Sequence, residues 1–322
     1  MSQFILKRIV ESLIVLFIGS MLCFIFIRML PGDPAAALYG DQLQKMSEAD
    51  RVRINENLGL NEPIFNQYGK WLSQVFHGEW GQSLSSGENV TTIVVQALQP
   101  TFMLMLSSHL IIFVLAIVFG IISGYFRKSF IDQAITVVSF LFMSIPSFWL
   151  AIILMLFFSV YLRVLPTSGI GNSNWGEFLR YIIMPSLVIA LSHVGYYIRL
   201  LRNHIATSKE SGFVFALKAR GIPEHLILLN HLIPHAFIPF LSFTGMSIAV
   251  SLASSVLVET IFSWPGIGRL ALKSALTHDY PVLLAVIMLS MFFVITVNLL
   301  VDLICAWIDP RIRTNFLEEG KK

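Results

Sequence analysis

Histidines are the side chains most able to do chemistry within the apolar parts of this chain. His109 and His193 lie inside long apolar runs, and His231 and His235 have a four-residue spacing that places two side chains on one face of a helix. Histidine is a common ligand of transition metals. Neither pair has a third ligand at metal-binding spacing, and Pro234 separates His231 from His235. The sequence therefore favours hydrogen-bonded packing over a metal site.

The short motifs that mark nucleotide-binding or hydrolytic sites do not occur in the sequence. It contains no Gly-x4-Gly-Lys-Ser/Thr phosphate loop, no Gly-x-Ser-x-Gly elbow and no His-Glu-x-x-His helix. A catalytic role is therefore not predicted, and no metal or cofactor is assigned to this chain. If ATP drives the protein, another polypeptide must bind it.

Long apolar stretches dominate the chain. Of its 322 residues, 56% are hydrophobic and only 13% are charged, a composition outside the range of ordinary soluble domains. A spanning helix needs about 20 mostly apolar residues. Six stretches reach that length: residues 9–29, 101–124, 135–161, 181–201, 237–258 and 282–307. We therefore predict an all-α polytopic membrane protein with six transmembrane helices.

The distribution of basic residues predicts the orientation of these helices. Cytoplasmic loops carry an excess of lysine and arginine, and most basic residues of the short loops and tails share one side if both termini are cytoplasmic. Arg163, Arg180, Arg269 and Lys273 fall on the opposite side. The net charge is +3, but the basic residues are dispersed instead of forming one basic face. The expected partner is therefore the lipid bilayer and not nucleic acid.

Composition also divides the chain into regions. We predict an N-terminal tail and first helix (1–29), a polar extracytoplasmic insertion (30–99), a five-helix core (100–310) and a cytoplasmic C-terminal tail (311–322). Within the insertion, Ser47 followed by Glu48 and Asp50 predicts a capped helix through Asn57, ended by Gly59.

The core contains a cytoplasmic loop, residues 203–236, that is too rich in helix formers to be a plain linker. Residues 213–220 predict a short helix that ends at Gly221. Pro223 and Glu224 then predict the start of a second helix over about residues 222–231. Two short helices that project from a membrane domain would form a rigid knob, suited to a cleft on a soluble partner.

Prolines and polar residues within the apolar stretches call for an explanation. Pro146 and Pro185 interrupt the third and fourth stretches and predict kinks, which either shape a gate or only assist packing. Asn298 and Asp302 share a face of the last stretch and predict an interhelical polar contact.

The loop and several blocks outside it resemble the inner-membrane permeases of ATP-binding-cassette importers, in particular the peptide/nickel branch. The family signature is a small-residue helix, a glycine and a later proline, and it is matched here by Ala216, Ala219, Gly221, His231 and Pro239. The general pattern begins Glu-Ala-Ala, whereas this chain has Phe215-Ala216-Leu217. Further blocks resemble that branch in order: residues 28–34, 58–63, 78–84, 144–150, 165–169, 258–269 and 309–313.

The resemblance implies roles for particular residues. The loop would couple ATP-driven closure of nucleotide-binding subunits to movement of the spans, through Ala216, Ala219, Arg220, Gly221, Glu224, His231 and Pro239. The candidate gate or pore residues are Pro146, Trp149, Glu259, Trp264, Pro265 and Gly266. The last three also predict a tight turn, in which proline fixes φ and glycines supply positive φ.

The resemblance also implies a location and partners. It places the chain in the plasma (inner) membrane of a prokaryote, where it would form half of a pore with a second permease, usually a different chain. Two ATP-binding subunits would hold ATP and magnesium, and an extracytoplasmic substrate-binding protein would deliver the cargo. Small peptides and nickel or a metal chelate are alternative cargoes.

Two other classes of protein are alternatives to an ATP-driven permease. A gradient-driven secondary transporter would need midplane charges or broken helices in related halves, and the sequence shows no convincing inverted repeat. An intramembrane enzyme would need a paired nucleophile and base, which the sequence does not supply.

Overall fold

The computed structural model of the chain describes residues 2–29, 62–171 and 174–308. Three predicted segments lie outside these residues: the first part of the insertion (30–61), the helix from Ser47 to Asn57 within it, and the tail 311–322. The chain divides into two compact units. The first comprises Met1–Lys7, Phe102–Trp264 and Thr296–Lys322, and the second comprises Arg8–Thr101 and Pro265–Ile295.

Regular structure in the described residues is helical, apart from one isolated bridge between Gln82 and Asn89. The first helices are α1 (Ser2–Met29), α2 (Ile64–Phe76), α3 (Val90–Tyr125), α4 (Phe130–Ser144) and α5 (Ser147–Met155), and a π-helical segment (Leu156–Tyr161) continues α5. There follow α6 (Trp175–Lys209), α7 (Gly212–Ala219), α8 (Glu224–Ile227), a second π-helical segment (Leu228–Leu232), α9 (Ile233–Ile261), α10 (Ile267–Leu276) and α11 (Tyr280–Ile308).

Within the described ranges, five helical stretches are long and apolar enough to cross a membrane: Phe4–Met29, Val90–Tyr125, Trp175–Lys209, Glu224–Ile261 and Tyr280–Ile308. The number is six if α4 and the stretch Ser147–Tyr161 together form one span. The prediction of an all-α polytopic membrane protein is confirmed.

The predicted third span is bent far more sharply than the proline kink that the sequence suggested. Its two halves meet at an angle of 99°. Helix α4 ends at Ser144, Ile145 is extended, and Pro146 precedes the first residue of α5. The residue before a proline is pushed out of the helical region, so the helix stops there. Helix α6, in contrast, continues through Pro185 without a break.

Helix α6 forms the centre of the first unit. Its buried Tyr197 and Leu201 pack in one cluster with Phe240 of α9. A Cβ atom on Gly124 would lie 2.9 Å from the Arg202 carbonyl oxygen, so glycine allows the backbones of α3 and α6 to approach closely.

Asn298, one of the two residues predicted to make a polar contact from the last span, lies against α9 in the same unit. The Asn298 side-chain oxygen lies 2.8 Å from the position of a Cβ on Gly245, so it packs directly against the backbone of α9. The partly buried Ser242 hydroxyl lies 3.3 Å from Cys305 Sγ on the same pair of helices. Polar contacts of this kind join helices within lipid.

The second unit is organised around Asp279, which is 2% exposed. Its Oδ2 accepts hydrogen bonds from the hydroxyls of Ser83 (2.5 Å) and Ser85 (2.9 Å), and its Oδ1 accepts from the Leu84 N–H (3.1 Å). One carboxylate therefore fixes the turn that follows Gly81, whose φ is +83°. This turn belongs to the sequence block 78–84, which the structure thus explains as a folding element.

We expect Asp279→Ala to destabilise this turn by about 3 kcal/mol, because hydrogen bonds to a buried charge are among the strong ones and their donors would be left unpaired. Limited proteolysis of the detergent-purified protein should show faster cleavage within residues 81–89. Glu88→Ala is the control, since the Glu88 side chain is exposed, and its cleavage rate should match that of the wild type. Equal rates for all three proteins would contradict this assignment.

Candidate functional site

Helix α7 ends in a backbone motif that needs a left-handed residue. Gly221 has φ +78°. Its N–H donates to the Lys218 carbonyl (2.9 Å) and the Ile222 N–H donates to the Leu217 carbonyl (3.2 Å), the two bonds of a Schellman motif. A Cβ at Gly221 would have no heavy atom within 4 Å. Glycine is therefore favoured here for its backbone conformation and not for space. The prediction that this helix ends at Gly221 is confirmed.

An apolar cluster holds α7 against the next helical segment. Val214 of α7 is 1% exposed and packs with Ile227 and Leu232, each 2% exposed. Leu217 and Ile222 pack against the same cluster. The helix is thus anchored along one side and ended by the Schellman motif, so it is presented as a fixed element and not as a flexible loop.

The other side of α7 is exposed and built from small residues around one aromatic ring. Gly212, Phe215, Ala216 and Ala219 have the i, i+3, i+4, i+7 spacing of a single helical face. All four are exposed, and the Phe215 side chain is 77% exposed. An exposed aromatic side chain that is surrounded by small residues is typical of a protein–protein contact surface. We call these four residues the α7 face.

A polar network ties the base of α7 to the ends of α3 and α6. Glu224 accepts hydrogen bonds from Lys218 Nζ and from the Tyr125 hydroxyl (2.5 Å). Lys209 Nζ donates to the Tyr125 carbonyl (2.9 Å) and also lies 3.8 Å from the centre of the Tyr125 ring. The prediction that Glu224 belongs to this site is consistent with these contacts. Tyr125 and Lys209 were not found from the sequence, because no local pattern joins residues so distant in the chain.

The predicted second short helix is not separate. The chain is helical from Glu224 to Ile261, through α8, the π-helical segment and α9. The π-helical segment ends just before Pro234, whose ring lacks an N–H and would clash with a carbonyl in a regular helix. This local widening lets the helix continue past Pro234. The predicted knob is therefore one short helix, α7, beside the beginning of a long one.

The candidate coupling residues are only partly brought together. Ala216, Ala219, Arg220 and Gly221 lie on or directly after α7, and Glu224 contacts α7 through Lys218. His231 is partly buried in the π-helical segment. Pro239, expected to close the loop, lies inside α9, about 22 Å along the helix from Glu224 at 1.5 Å per residue.

A second Schellman motif ends α9 beside two of the gate candidates. The Trp264 N–H donates to the Glu259 carbonyl (2.8 Å), and Ser263, at φ +50°, is the left-handed residue between them. Glu259 and Trp264 are both 0% exposed. The Ser255 hydroxyl lies 3.4 Å from Glu259 Oε1, and the Trp264 ring lies 5.7 Å from the Phe178 ring.

The reason predicted for the glycines after Trp264 is wrong. Gly266 has φ −102°, an ordinary extended value, and precedes the first residue of α10, in which Gly268 lies. The positive φ falls on Ser263 instead. Pro265 is exposed and Gly266 is buried.

The remaining gate candidates occupy the sharp bend between α4 and α5. The Pro146 carbonyl accepts from the N–H groups of Trp149 and Leu150, both at 3.0 Å, and so starts α5. The Trp149 side chain is 49% exposed, whereas Leu150 packs in a cluster with Val258 and Trp264.

The buried histidines are held by backbone hydrogen bonds, as predicted. His109 Nδ1 lies 3.0 Å from the Met105 carbonyl, and His193 Nδ1 lies 2.9 Å from the Ile189 carbonyl. Across the described ranges, no three histidine, cysteine, aspartate or glutamate side chains group in a way that could hold a metal ion.

A buried ion pair joins α4 to α6, and no pattern in the sequence predicted it. Arg202 Nε and Nη2 donate to the two oxygens of Asp132 at 2.6 and 2.7 Å. Asp132 is 2% exposed and also accepts from the Ser123 hydroxyl (2.5 Å) and the Lys128 N–H (2.8 Å). The only local signal was Ser129, whose hydroxyl caps α4 by accepting from the Asp132 N–H, a pattern visible as Ser-x-x-Asp.

Comparisons with known proteins place this architecture in a family. Residues 116–314 match the family described as binding-protein-dependent transport system inner membrane component, and residues 1–105 match the family of its N-terminal region. The chain is 33% identical over 317 residues to the oligopeptide transport system permease protein AppB of Bacillus subtilis, which covers 97% of this chain and 99% of that protein.

Two further matches agree with this result. A Sinorhizobium fredii protein named "Probable peptide ABC transporter permease protein y4tP" is 31% identical over 315 residues, covering 97% of this chain and all of that protein. A solved structure titled "Inward facing conformations of the MetNI methionine ABC transporter" matches with a TM-score of 0.56 at 16% identity, over 67% of this chain and 96% of that chain; this match concerns the fold alone.

Membership of this family implies an ATPase and a substrate-binding protein as partners, with ATP bound by the ATPase subunits. The chain belongs to the binding-protein-dependent transport system inner membrane components and is the non-catalytic, multi-pass inner-membrane permease of an ATP-binding-cassette importer.

Proposed function

We propose that this permease forms half of a pore for small peptides and that the α7 face docks on an ATPase subunit. The observation that carries the docking proposal is the combination of an exposed face with a fixed base: Phe215 is 77% exposed while Val214 beside it is 1% exposed. A helix held in this way transmits force from a partner, whereas a flexible loop would absorb it.

The contacts around α7 suggest where that force would go. Lys218 and Glu224 link α7 to Tyr125 at the end of α3, and Lys209 links the end of α6 to the same tyrosine. A push on the α7 face would therefore act on α3, on α6 and on the long helix that begins at Glu224. In this proposal both termini and α7 are cytoplasmic, in agreement with the distribution of basic residues.

The docking proposal predicts the effect of removing the Phe215 ring. Burial of a phenylalanine side chain contributes about 1.5–3 kcal/mol, so Phe215→Ala should weaken ATPase binding by roughly tenfold or more. The measurement is the amount of ATPase subunit that co-purifies with the tagged permease. The fold should be unchanged, because the ring is exposed.

Leu229→Ala is the matched control for this variant. Leu229 is 57% exposed and lies in the π-helical segment, which is not part of the α7 face. Its removal should leave ATPase recovery at the wild-type level. Equal recovery with Phe215→Ala and the wild type would show that α7 does not form the docking surface.

The remaining parts of the pore follow the same proposal. A second permease, a different chain, supplies the other half, and the insertion 30–99 is extracytoplasmic. Glu259 and Trp264 form the packed end of α9 near the outer gate, with Pro265 and Gly266 leading into α10. Pro146 and Trp149 form a bend that can change angle as the gate opens.

Peptides are the preferred cargo because the similar proteins of Bacillus subtilis and Sinorhizobium fredii carry peptide transport in their names. The test is uptake of radiolabelled dipeptides and oligopeptides, and separately of radioactive nickel, by cells lacking the gene and by complemented cells. Restored peptide uptake supports the proposal. Restored nickel uptake without peptide uptake would replace peptide by metal as the cargo.

A further inference from the structure

A cavity of about 280 Å³ lies between the end of the bent third span and the beginning of α6. It is lined by Arg163, Pro166, Glu177, Arg180 and Tyr181, among others. Its volume lies just below the range of sites for drug-sized ligands, so it suits a small ion or a headgroup. None of the roles discussed above uses it.

The cavity lies at the level where the membrane meets water. The apolar stretch before it ends at Tyr161, which is 79% exposed, and the span after it begins at Trp175, which is 71% exposed. Exposed tyrosine and tryptophan side chains at the ends of spans are typical of the membrane interface. A ligand in this cavity would therefore be level with lipid headgroups.

Arg163 combines an exposed side chain with an unusual backbone conformation. Its backbone has φ +56°, a conformation that costs energy for a residue other than glycine and is common at binding sites. The residue is exposed, and within the described part of the chain its guanidinium makes no hydrogen bond or ion pair. Its donors are therefore available to an incoming anion.

Arg180 provides the second cationic group of the cavity. Its Nη2 donates to the Val164 carbonyl at 2.9 Å, which fixes the guanidinium beside the loop that carries Arg163. Arginine has five N–H donors, so further donors can still face the cavity. Two guanidinium groups that line one small cavity are typical of a phosphate-binding site, because each can donate two parallel hydrogen bonds to phosphate oxygens.

The charges around the cavity indicate which phosphate would fit. Arg163 and Arg180 contribute two positive charges and Glu177 one negative charge, which leaves a net charge of +1. A phosphodiester carries a single negative charge, whereas free phosphate carries more at neutral pH. Basic side chains near the membrane surface attract anionic lipid headgroups. We propose that this cavity binds the phosphodiester of an anionic phospholipid.

Native mass spectrometry of the detergent-purified importer, titrated with phosphatidylglycerol or phosphatidylcholine, tests the proposal. The number of lipid molecules that the wild type retains tightly should be greater by one with phosphatidylglycerol than with phosphatidylcholine. Arg163→Gln should bind that lipid about tenfold more weakly, because charge-assisted hydrogen bonds are lost. Arg163→Lys should fall between the two, since lysine keeps the charge without the paired donors.

Two controls make the result specific to this cavity. Among the described lining residues, Glu177 is the one carboxylate; Glu177→Gln should bind phosphatidylglycerol at least as tightly as the wild type. Millimolar inorganic phosphate should not displace the lipid. Displacement by phosphate would assign the site to a soluble anion, and equal lipid binding by Arg163→Gln and the wild type would overturn the proposal.

Discussion

Gly221→Val is expected to uncouple ATP hydrolysis from import. Valine at φ +78° costs about 1–2 kcal/mol, enough to lower the ratio of correctly ended to incorrectly ended α7 by a factor of roughly 5–30. The Schellman bonds of Gly221 and Ile222 would be lost, and the α7 face would shift relative to its base. Import should fall several-fold, while ATP hydrolysis by the assembled complex should continue. The measurement is the number of substrate molecules imported per ATP hydrolysed by the complex in vesicles.

Gly221→Asn is the matched control, because asparagine enters the left-handed region more readily than other residues with a side chain. There is room for its side chain, since nothing lies within 4 Å of a Cβ at this position. It should retain most of the import activity. Normal import by a membrane-inserted Gly221→Val protein would contradict the role assigned to α7.

Asp132→Ala should be the most destabilising of the substitutions considered. It leaves the partly buried Arg202 without its two charge-assisted hydrogen bonds, which join α4 to α6. Removing one partner of a buried ion pair costs about 3–5 kcal/mol. Purified Asp132→Ala importer should denature at a temperature several degrees below that of the wild type, and less of it should accumulate in membranes.

The exposed pair formed by Arg127 and Glu210 serves as the control. These side chains lie 2.9 Å apart but are 40% and 65% exposed, and surface pairs contribute at most about 1 kcal/mol. Glu210→Ala should therefore leave the denaturation temperature nearly unchanged. If Asp132→Ala were no more damaging than Glu210→Ala, the buried pair would not contribute to stability as we infer.

Local sequence signals predicted the parts of the site that local chemistry determines. Helix α7 could be predicted because residues 213–220 favour a helix and Gly221 provides a natural end. The start of the next helix at Glu224, after Pro223, is also as expected. The length of that helix was wrong, because the sequence gives no sign that a π-helical segment would carry it past Pro234.

Features that depend on distant contacts could not be predicted in this way. Glu224 meets Tyr125 although 99 residues separate them, and no periodicity in the sequence reports such a pairing. The 99° bend at Pro146 was underestimated, because a proline in an apolar stretch is compatible with a mild kink as well as a complete break. Similarly, the positive φ was predicted for the glycines but occurs at Ser263. The sequence prediction ended this span at residue 258, whereas α9 continues to Ile261.

The most direct test of the account is import by the purified permease, its second permease and its ATPase subunits in vesicles, with binding protein and labelled peptide. We expect uptake that requires ATP and the ATPase subunits, does not respond to an ion gradient, and falls when Gly221 is replaced by valine. Uptake by the permease alone, driven by a proton or sodium gradient in the absence of ATPase subunits, would contradict the account and identify a secondary transporter.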